Sequence, residues 1–261
     1  MKRNAPLLTA AVALAVVAAA LPAAASAQMR VDHDAIDDTQ WRYRLTPYAW
    51  GAGLDGTVGK FGRRATIDKS FGDVLESLDA GAMLGFEARR GRIGLLADFM
   101  HVRLSEADSV PTPIGIAVDA RVKARTTTAL LAAQYRSAAA DWGYVDLIGG
   151  VRHWSLRTDV RLGAPLSVGG SDTESWTDPI VGVKGLYHLG PRSYVMGWAM
   201  AGGFGAGSRF SSDLMGAFGY KLNDQSALLF AWRRLAVDYR ESGFVFDSTL
   251  QGPALGLDYR F

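Results

Sequence analysis

From residue 41 to the end, the chain alternates between apolar side chains and small or polar ones. The alternation is clearest in Asp79–Arg89, Ser193–Phe204, Phe210–Leu222 and Val245–Phe261. A period of two predicts β-strands whose two faces meet different surroundings. The second face is mostly Gly, Ala and Ser with a scattered ion, whereas a soluble sandwich would carry a richly charged face there. This pattern is typical of a membrane barrel with a narrow lumen.

Weaker segments extend the pattern to about ten strands, with eight or twelve as alternatives. The predicted strands are 41–52, 79–90, 92–106, 117–136, 142–158, 177–189, 192–205, 209–222, 225–240 and 245–261. The fold class is therefore all-β, a transmembrane up-and-down antiparallel barrel. Tight connections alternate with long ones at 53–78, 107–116 and 159–176, which predicts external loops on one side and both termini in the periplasm.

The first long loop contains a helix signal. Phe71, Val74 and Leu75 have helical spacing, and Ser70 with Asp73 has the pattern of a capping box. We expect a short helix within this loop.

The first 27 residues have the pattern of a secretory signal peptide, with a basic start, an apolar stretch and small residues before a cleavage site between Ala27 and Gln28. Residues 28–40 are polar and acid-rich, which predicts a disordered periplasmic tail before a barrel domain at 41–261. The formal net charge of +2 is that of Lys2 and Arg3, so the remainder is neutral, which argues against a basic nucleic-acid-binding surface. After residue 27 no apolar run reaches the length of a membrane helix.

Aromatic residues fall near both ends of the predicted strands, as expected for interfacial girdles. In 193–204 the larger residues, Tyr194 and Phe204 among them, are predicted to face lipid. The predicted outward girdle consists of Trp41, Tyr43, Trp142, Tyr194, Trp154 and Phe204.

The carboxyl terminus ends in a strand whose apolar face carries Leu255, Leu257, Tyr259 and Phe261. This arrangement resembles the terminal signal that outer-membrane barrels present to the barrel-assembly machinery. The stretches Thr46–Gly56, Leu78–Asp98 and Tyr187–Gly190, with Gly202–Phe204, are also similar to a family of small, functionally uncharacterised Gram-negative outer-membrane barrels. That resemblance implies a fold and a location, and no activity.

Strand parity places a set of ions of both signs inside the predicted lumen. Because unpaired charges are costly there, we expect them to pair. A structural network that fills the barrel and a narrow water-filled path both remain open, while a wide porin channel needs more strands. The set is Arg42, Arg44, Glu87, Arg89, Asp98, Asp146, Arg152, Lys184, His188, Asp213 and Asp258, with Arg233 as a further candidate.

One short motif has a chemical interpretation. His153 and Ser155, with Glu174 as a nearby acid, resemble the His-x-Ser arrangement of outer-membrane lipid A deacylases, in which His acts as base and Ser as nucleophile. The rest of the deacylase pattern is missing, so we expect no catalytic site. Cysteine is absent and no metal or cofactor site is predicted.

The predicted function is a structural or narrow-pore role in the cell envelope. A lipid A-modifying enzyme and a surface interaction or adhesion module acting through the external loops are the alternatives. Expected partners are outer-membrane lipids, lipopolysaccharide and the assembly machinery, with Arg63, Arg64 and the run Arg121–Arg125 as basic groups that could meet phosphates.

Overall fold

A computed structural model describes residues 39–60, 63–111, 117–163 and 169–261. The predicted signal peptide, with Ala27 and Gln28, and most of the predicted tail lie outside these residues. In the described ranges, no helix is both long and apolar enough to span a membrane. The elements are β1 (Arg42–Trp50), β2 (Gly53–Lys60), β3 (Arg63–Lys69), α1 (Phe71–Glu76), β4 (Leu78–Arg90), β5 (Ile93–Pro111), β6 (Ala117–Ala140), β7 (Gly143–Leu162), β8 (Gly169–His188), β9 (Ser193–Gly202), β10 (Phe210–Lys221), β11 (Ser226–Glu241) and β12 (Phe244–Arg260).

Ten of the strands close into an antiparallel barrel. Consecutive strands from β4 to β12 pair as neighbours, and β1 joins the two ends by pairing with both β4 and β12. The closing ladder runs from Arg44 opposite Arg260 to Trp50 opposite Ala254. β1 is thus paired on both sides, with β4 as far as Pro47 and with β12 as far as Trp50, and the predicted all-β barrel of about ten strands is confirmed.

The first predicted loop is an added hairpin followed by the expected helix. After β1, the chain continues along the outer part of β12 as β2, and β3 pairs only with β2. The ladder between β1 and β4 ends at Pro47 opposite Leu84, where proline offers no amide hydrogen. The capping box of α1 is present, since the Ser70 hydroxyl accepts from the Asp73 amide and the Asp73 carboxylate accepts from the Ser70 amide.

The other two long connections are shorter than predicted because the strands continue outward. β5 reaches Pro111 and β6 begins at Ala117, while β7 reaches Leu162 and β8 begins at Gly169. Residues 107–111, 159–162 and 169–176, which were predicted as loop, are therefore antiparallel strand. Charged residues occur on both faces beyond the apolar part, Glu106 on one and Arg121 on the other, so a search for regular apolar alternation ends too early.

Large apolar side chains cover the outside of the barrel. Each strand from β4 to β12 contributes at least one that is exposed, on the face that points away from the lumen. An apolar surface that surrounds a protein marks contact with lipid. The exposed set includes Leu84, Leu95, Phe99, Leu131, Leu147, Val151, Val181, Val195, Leu214, Phe218, Phe230, Trp232 and Leu255.

The orientation predicted for β9 is wrong. Tyr194, Met196 and Met200 face the lumen and are buried, whereas Val195 and Ala199 face outward. The prediction assumed that the larger residues face lipid, as they do in β10. Here a filled interior accommodates them, and the outer surface of β9 consists mainly of small residues.

The Tyr194 ring depends on a glycine of the neighbouring strand. A Cβ at Gly219 would lie 2.2 Å from a carbon of this ring, and Tyr194 is fully buried. Gly219→Ala should therefore displace Tyr194 and lower the free energy of unfolding by about 1–3 kcal/mol. Urea unfolding in detergent micelles, followed by tryptophan fluorescence, measures this.

Gly216→Ala provides the matched control, because Gly216 lies on the same strand and a Cβ there meets nothing within 4 Å. Equal stability of the two variants would contradict the packing described for Tyr194.

A hydrogen-bonded group joins the hairpin and α1 to β5, beyond the apolar surface. The Lys69 ammonium donates to a Glu106 oxygen at 2.8 Å, and the Ser77 hydroxyl donates to the same oxygen at 3.1 Å. The hydrogen bond from Lys69 lowers the pKa of Glu106 below its ordinary value of 4.5, and the hydrogen bonds from Ser70 lower the pKa of Asp73 below 3.8.

Because both pKa values are lower in the folded state, these carboxylates stabilise the segment above their ordinary pKa values. That stabilisation should be lost as the pH falls through the lowered folded-state values. Hydrogen exchange of residues 70–77, corrected for intrinsic rates, should show less protection at pH 3 than at pH 6. Glu106→Gln should remove part of the difference, and Glu76→Gln, on an exposed side chain of α1, should leave it unchanged.

Candidate functional site

The inner face of the barrel carries the candidate site. Of the predicted ions, nine have their side chains 14% exposed or less and lie in ion pairs with inward-facing groups. They are Arg44, Glu87, Arg89, Asp98, Asp146, Arg152, Lys184, Asp213 and Asp258. Arg42 and His188 share the inward parity of their strands and are half-buried.

Arg233 and Asp213 form the centre of a middle layer. Asp213 on β10 accepts from Arg152 on β7 at 2.5 Å and from Arg233 on β11 at 2.7 Å. Arg233 also donates to Asp98 on β5 at 2.7 Å and to the Tyr48 hydroxyl at 2.8 Å. β10 and β11 are neighbours, but β7 is not paired with β10, nor β11 with β5, so the contacts to Arg152 and Asp98 cross the interior.

A second group, the inner layer, lies closer to the termini. Asp146 accepts from Arg89 at 2.5 Å and from Arg136 at 2.9 Å, and the Arg136 guanidinium stacks 3.6 Å from the centre of the Tyr144 ring.

Two further carboxylates, Glu87 and Asp258, complete the inner layer with their partners. Lys184 on β8 binds Glu87 on β4, again across the lumen. Asp258 binds Arg44 at 3.4 Å and Arg260 at 3.1 Å.

A cavity lies between the two layers. About 80 Å³ is open to the centre of a water molecule, which is room for a few waters. Its walls are mostly apolar, with Leu96, Leu130, Met196, Met215 and Leu229 among them. Charged groups of the inner and middle layers also line it.

Aromatic rings form an outer layer beyond the middle one. The Trp176 and Tyr239 rings stack with centroids 3.9 Å apart, and Trp154 stacks on Trp176 at 5.6 Å. Trp50 and Phe246 belong to the same buried cluster. Rings from β1, β7, β8, β11 and β12 thus meet inside the barrel.

This layer corrects the predicted girdle. Trp154 is fully buried in the lumen, and Tyr194 is buried on β9, so neither faces lipid. Trp41, Trp142 and Phe204 are exposed, and Tyr43 stacks on Phe86 and Phe261. Position near a strand end did not distinguish the two groups, because parity decides which side of the wall a ring occupies.

Sequence reasoning left out several members of the network. Arg136 lies at the end of its predicted strand, but β6 continues past a register shift to Ala140. Asp178 is the second residue of the predicted strand 177–189 and lies in the middle of β8, where it accepts from the amide and hydroxyl of Ser208 at 2.6 and 2.8 Å. Arg260 lies two positions after Asp258 on the same strand, so strand parity could have predicted that it faces the lumen.

The deacylase-like residues do not assemble. His153 and Ser155 lie on the outward face of β7, where a His153 ring nitrogen is 3.0 Å from the Thr177 hydroxyl. Glu174 has the parity of the buried Trp176 and therefore lies on the other side of the wall. Within the described ranges, no group of three or more His, Asp or Glu side chains could hold a metal ion.

Comparison with known proteins identifies the class of fold. No protein-family model and no curated protein sequence matches the chain. Among solved structures, the outer membrane protease OmpT from Escherichia coli is similar, with a TM-score of 0.52, 11% identity, and 85% of this chain and 97% of that one covered. The translocator domain of the autotransporter NalP from Neisseria meningitidis has a TM-score of 0.47, 12% identity and coverages of 98% and 96%.

The chain has the fold of Gram-negative outer-membrane β-barrel proteins. The structural similarity to OmpT supports a shared architecture, and at 11% sequence identity it says nothing about activity.

Asp213 should be critical for stability. Its removal would leave Arg152 and Arg233 buried without their shared partner, so Asp213→Ala should lower the free energy of unfolding by about 3–5 kcal/mol. Urea unfolding in phospholipid vesicles measures this, with Trp198, which donates to Asp213, as a fluorescent reporter.

Asp238→Ala is the matched control, because Asp238 also binds two arginines, Arg209 and Arg240, but on the outer face, where its side chain is 28% exposed. Its loss should cost less than about 1 kcal/mol. Similar losses in both variants would show that burial of the network does not determine its contribution.

Proposed function

We propose that the protein is an integral outer-membrane barrel with a structural, non-catalytic role and a lumen that is closed to solutes. The apolar outer surface supports membrane insertion. Short turns at one end, of which Gly91-Arg92 and Asp141-Trp142 are the tightest, lie at the same end as both termini, which supports a periplasmic position for them.

The contact between Arg233 and Asp98 is the observation that carries this proposal. It joins β11 to β5 through the lumen, and Lys184 with Glu87 joins β8 to β4 in the same way. A permeating ion would have to separate such pairs, which exposes buried charges. It would then meet the stacked rings of the outer layer, which offer no ligands to a hydrated ion.

The terminal strand supports the expected route of assembly. Leu255, Leu257, Tyr259 and Phe261 share the outward parity of β12, and Phe261 is exposed next to Tyr43. This face is accessible to a recognition protein, and we propose that the barrel-assembly machinery binds it.

Planar-bilayer recording tests the closed lumen. The folded wild-type protein, verified by heat-modifiable migration on gels, should produce no stable openings because ion pairs and rings fill every layer. Uniform small openings would contradict a closed lumen and would instead assign a narrow pore.

A variant that lacks one large side chain in each layer serves as the positive control for the bilayer recording. Lys184→Gly, Arg233→Gly and Trp176→Gly together remove one crossing side chain from the inner, middle and outer layers. Once its folding is verified in the same way, this variant should conduct. Recovery of the wild type in a soluble rather than an outer-membrane fraction would contradict the membrane location.

A further inference from the structure

Three arginines lie side by side on the outer surface of the barrel. Arg103 on β5 is directly opposite Arg125 on β6, which is directly opposite Arg157 on β7. All three have the parity of the outward-facing residues of their strands. We call them the basic row.

Such a row is unfavourable by itself. Neighbouring strands are about 4.8 Å apart, and like charges directly opposite each other destabilise a sheet. The next outward positions place Lys123 opposite Asp159 and Arg121 opposite Arg161, so cations continue above the row.

Nearby acids compensate only part of this charge. Asp159 accepts from Arg157 at 3.3 Å, and Asp79 accepts from the Ser105 hydroxyl at 2.7 Å. Six outward-facing cations on β5, β6 and β7 thus outnumber the acids at outward positions nearby, which in the described ranges are Asp79, Asp159 and, further out on β6, Asp119. The cations are Arg103, Arg121, Lys123, Arg125, Arg157 and Arg161. The surface is complementary to a strong anion.

The row lies at a defined height on the barrel. Phe99 belongs to the apolar surface, and Arg103 is four positions further along the same strand, about 13 Å at the rise of an extended chain. His101, Thr127 and Ser155 form a polar level between them, and the Arg103 side chain bends toward it to donate to His101 at 3.0 Å. The guanidinium groups therefore lie just beyond the hydrocarbon, where lipid headgroups lie.

At the outer end of β11 and β12, by contrast with the basic row, the arginines are paired with carboxylates. There Arg240 pairs with Asp238 at 2.7 Å and with Asp247 at 3.0 Å, and Arg209 also binds Asp238. Charges on that side are neutralised within the protein, so the excess of cations belongs to the face of β5 to β7.

We propose that the basic row binds the phosphorylated headgroup of an outer-leaflet lipid. Guanidinium groups bind phosphate oxygens through paired, charge-assisted hydrogen bonds, and adjacent strands present three of them at one level. The lipid's acyl chains would lie along Phe99 and the apolar surface below. This site rests on the proposed membrane location and adds a specific ligand class to it.

The test compares the full-length protein with a variant in which Arg103, Arg125 and Arg157 are replaced by Gln. Binding of diphosphorylated lipid A in neutral detergent micelles is measured by native mass spectrometry. The row variant should bind about ten-fold more weakly or worse, because three charge-assisted contacts are lost. The control variant, with Gln at Arg209, Arg234 and Arg240, removes the same outward charge from the region of β10 and β11 and should bind like the wild type.

Two probes identify the ligand source. Dephosphorylated lipid A should bind the wild type as weakly as it binds the row variant, and inorganic phosphate alone should not stabilise the wild type against heat. Equal binding of both lipids would overturn the proposal, as would full stabilisation by inorganic phosphate. A ten-fold loss in the control variant would also overturn it, since that result indicates an effect of net charge.

The difference in unfolding temperature between the row variant and the wild type should change sign when lipid A is added, which a purely structural role would not produce. Without lipid A, the row variant should unfold at the same temperature as the wild type or a higher one, because repulsion is relieved. With lipid A, the wild type should be the more stable. A row variant that is already less stable without lipid contradicts the repulsion argument. Heat-modifiable migration reports whether the barrel itself is intact, so failure of this site is distinguishable from failure of the proposed function.

Discussion

Closure of the wall determines most of what this protein can do. Ten strands enclose an interior only slightly wider than side chains can fill, and the wall lets no inward-facing charge reach solvent sideways. Each buried ion must therefore find a counter-ion inside. Asp213 meets this requirement with Arg152 and Arg233, and Arg233 carries the connection on to Asp98.

The same pairing supports the proposed closed lumen. Contacts that cross between distant strands hold opposite walls at fixed separation, and the cavity between the inner and middle layers is walled mainly by apolar side chains. The stacked rings of Trp154, Trp176 and Tyr239 add a layer that offers ions no ligands. A barrel filled in this way presents its distinctive chemistry on the outside.

The outer surface is correspondingly uneven. Charge is neutralised within the protein near Asp238, whereas Arg103, Arg125 and Arg157 repel one another on three adjacent strands. Register creates that row, since the three residues are far apart along the chain. A membrane that supplies phosphates at this height turns an unfavourable arrangement into a binding site.

The sequence by itself determined the barrel, the approximate strand number, the helix at Ser70 and the inward position of ions such as Asp146 and Asp258, because each follows from local alternation or from a local cap. It could not determine which face of β9 is inside, since apolar residues suit both lipid and a filled lumen, and Tyr194 was misplaced for that reason. Nor could it distinguish the buried Trp154 from the exposed Trp142. Which arginine meets which aspartate, and which arginines stand side by side, depends on strand register and closure, and only the tertiary structure decided those.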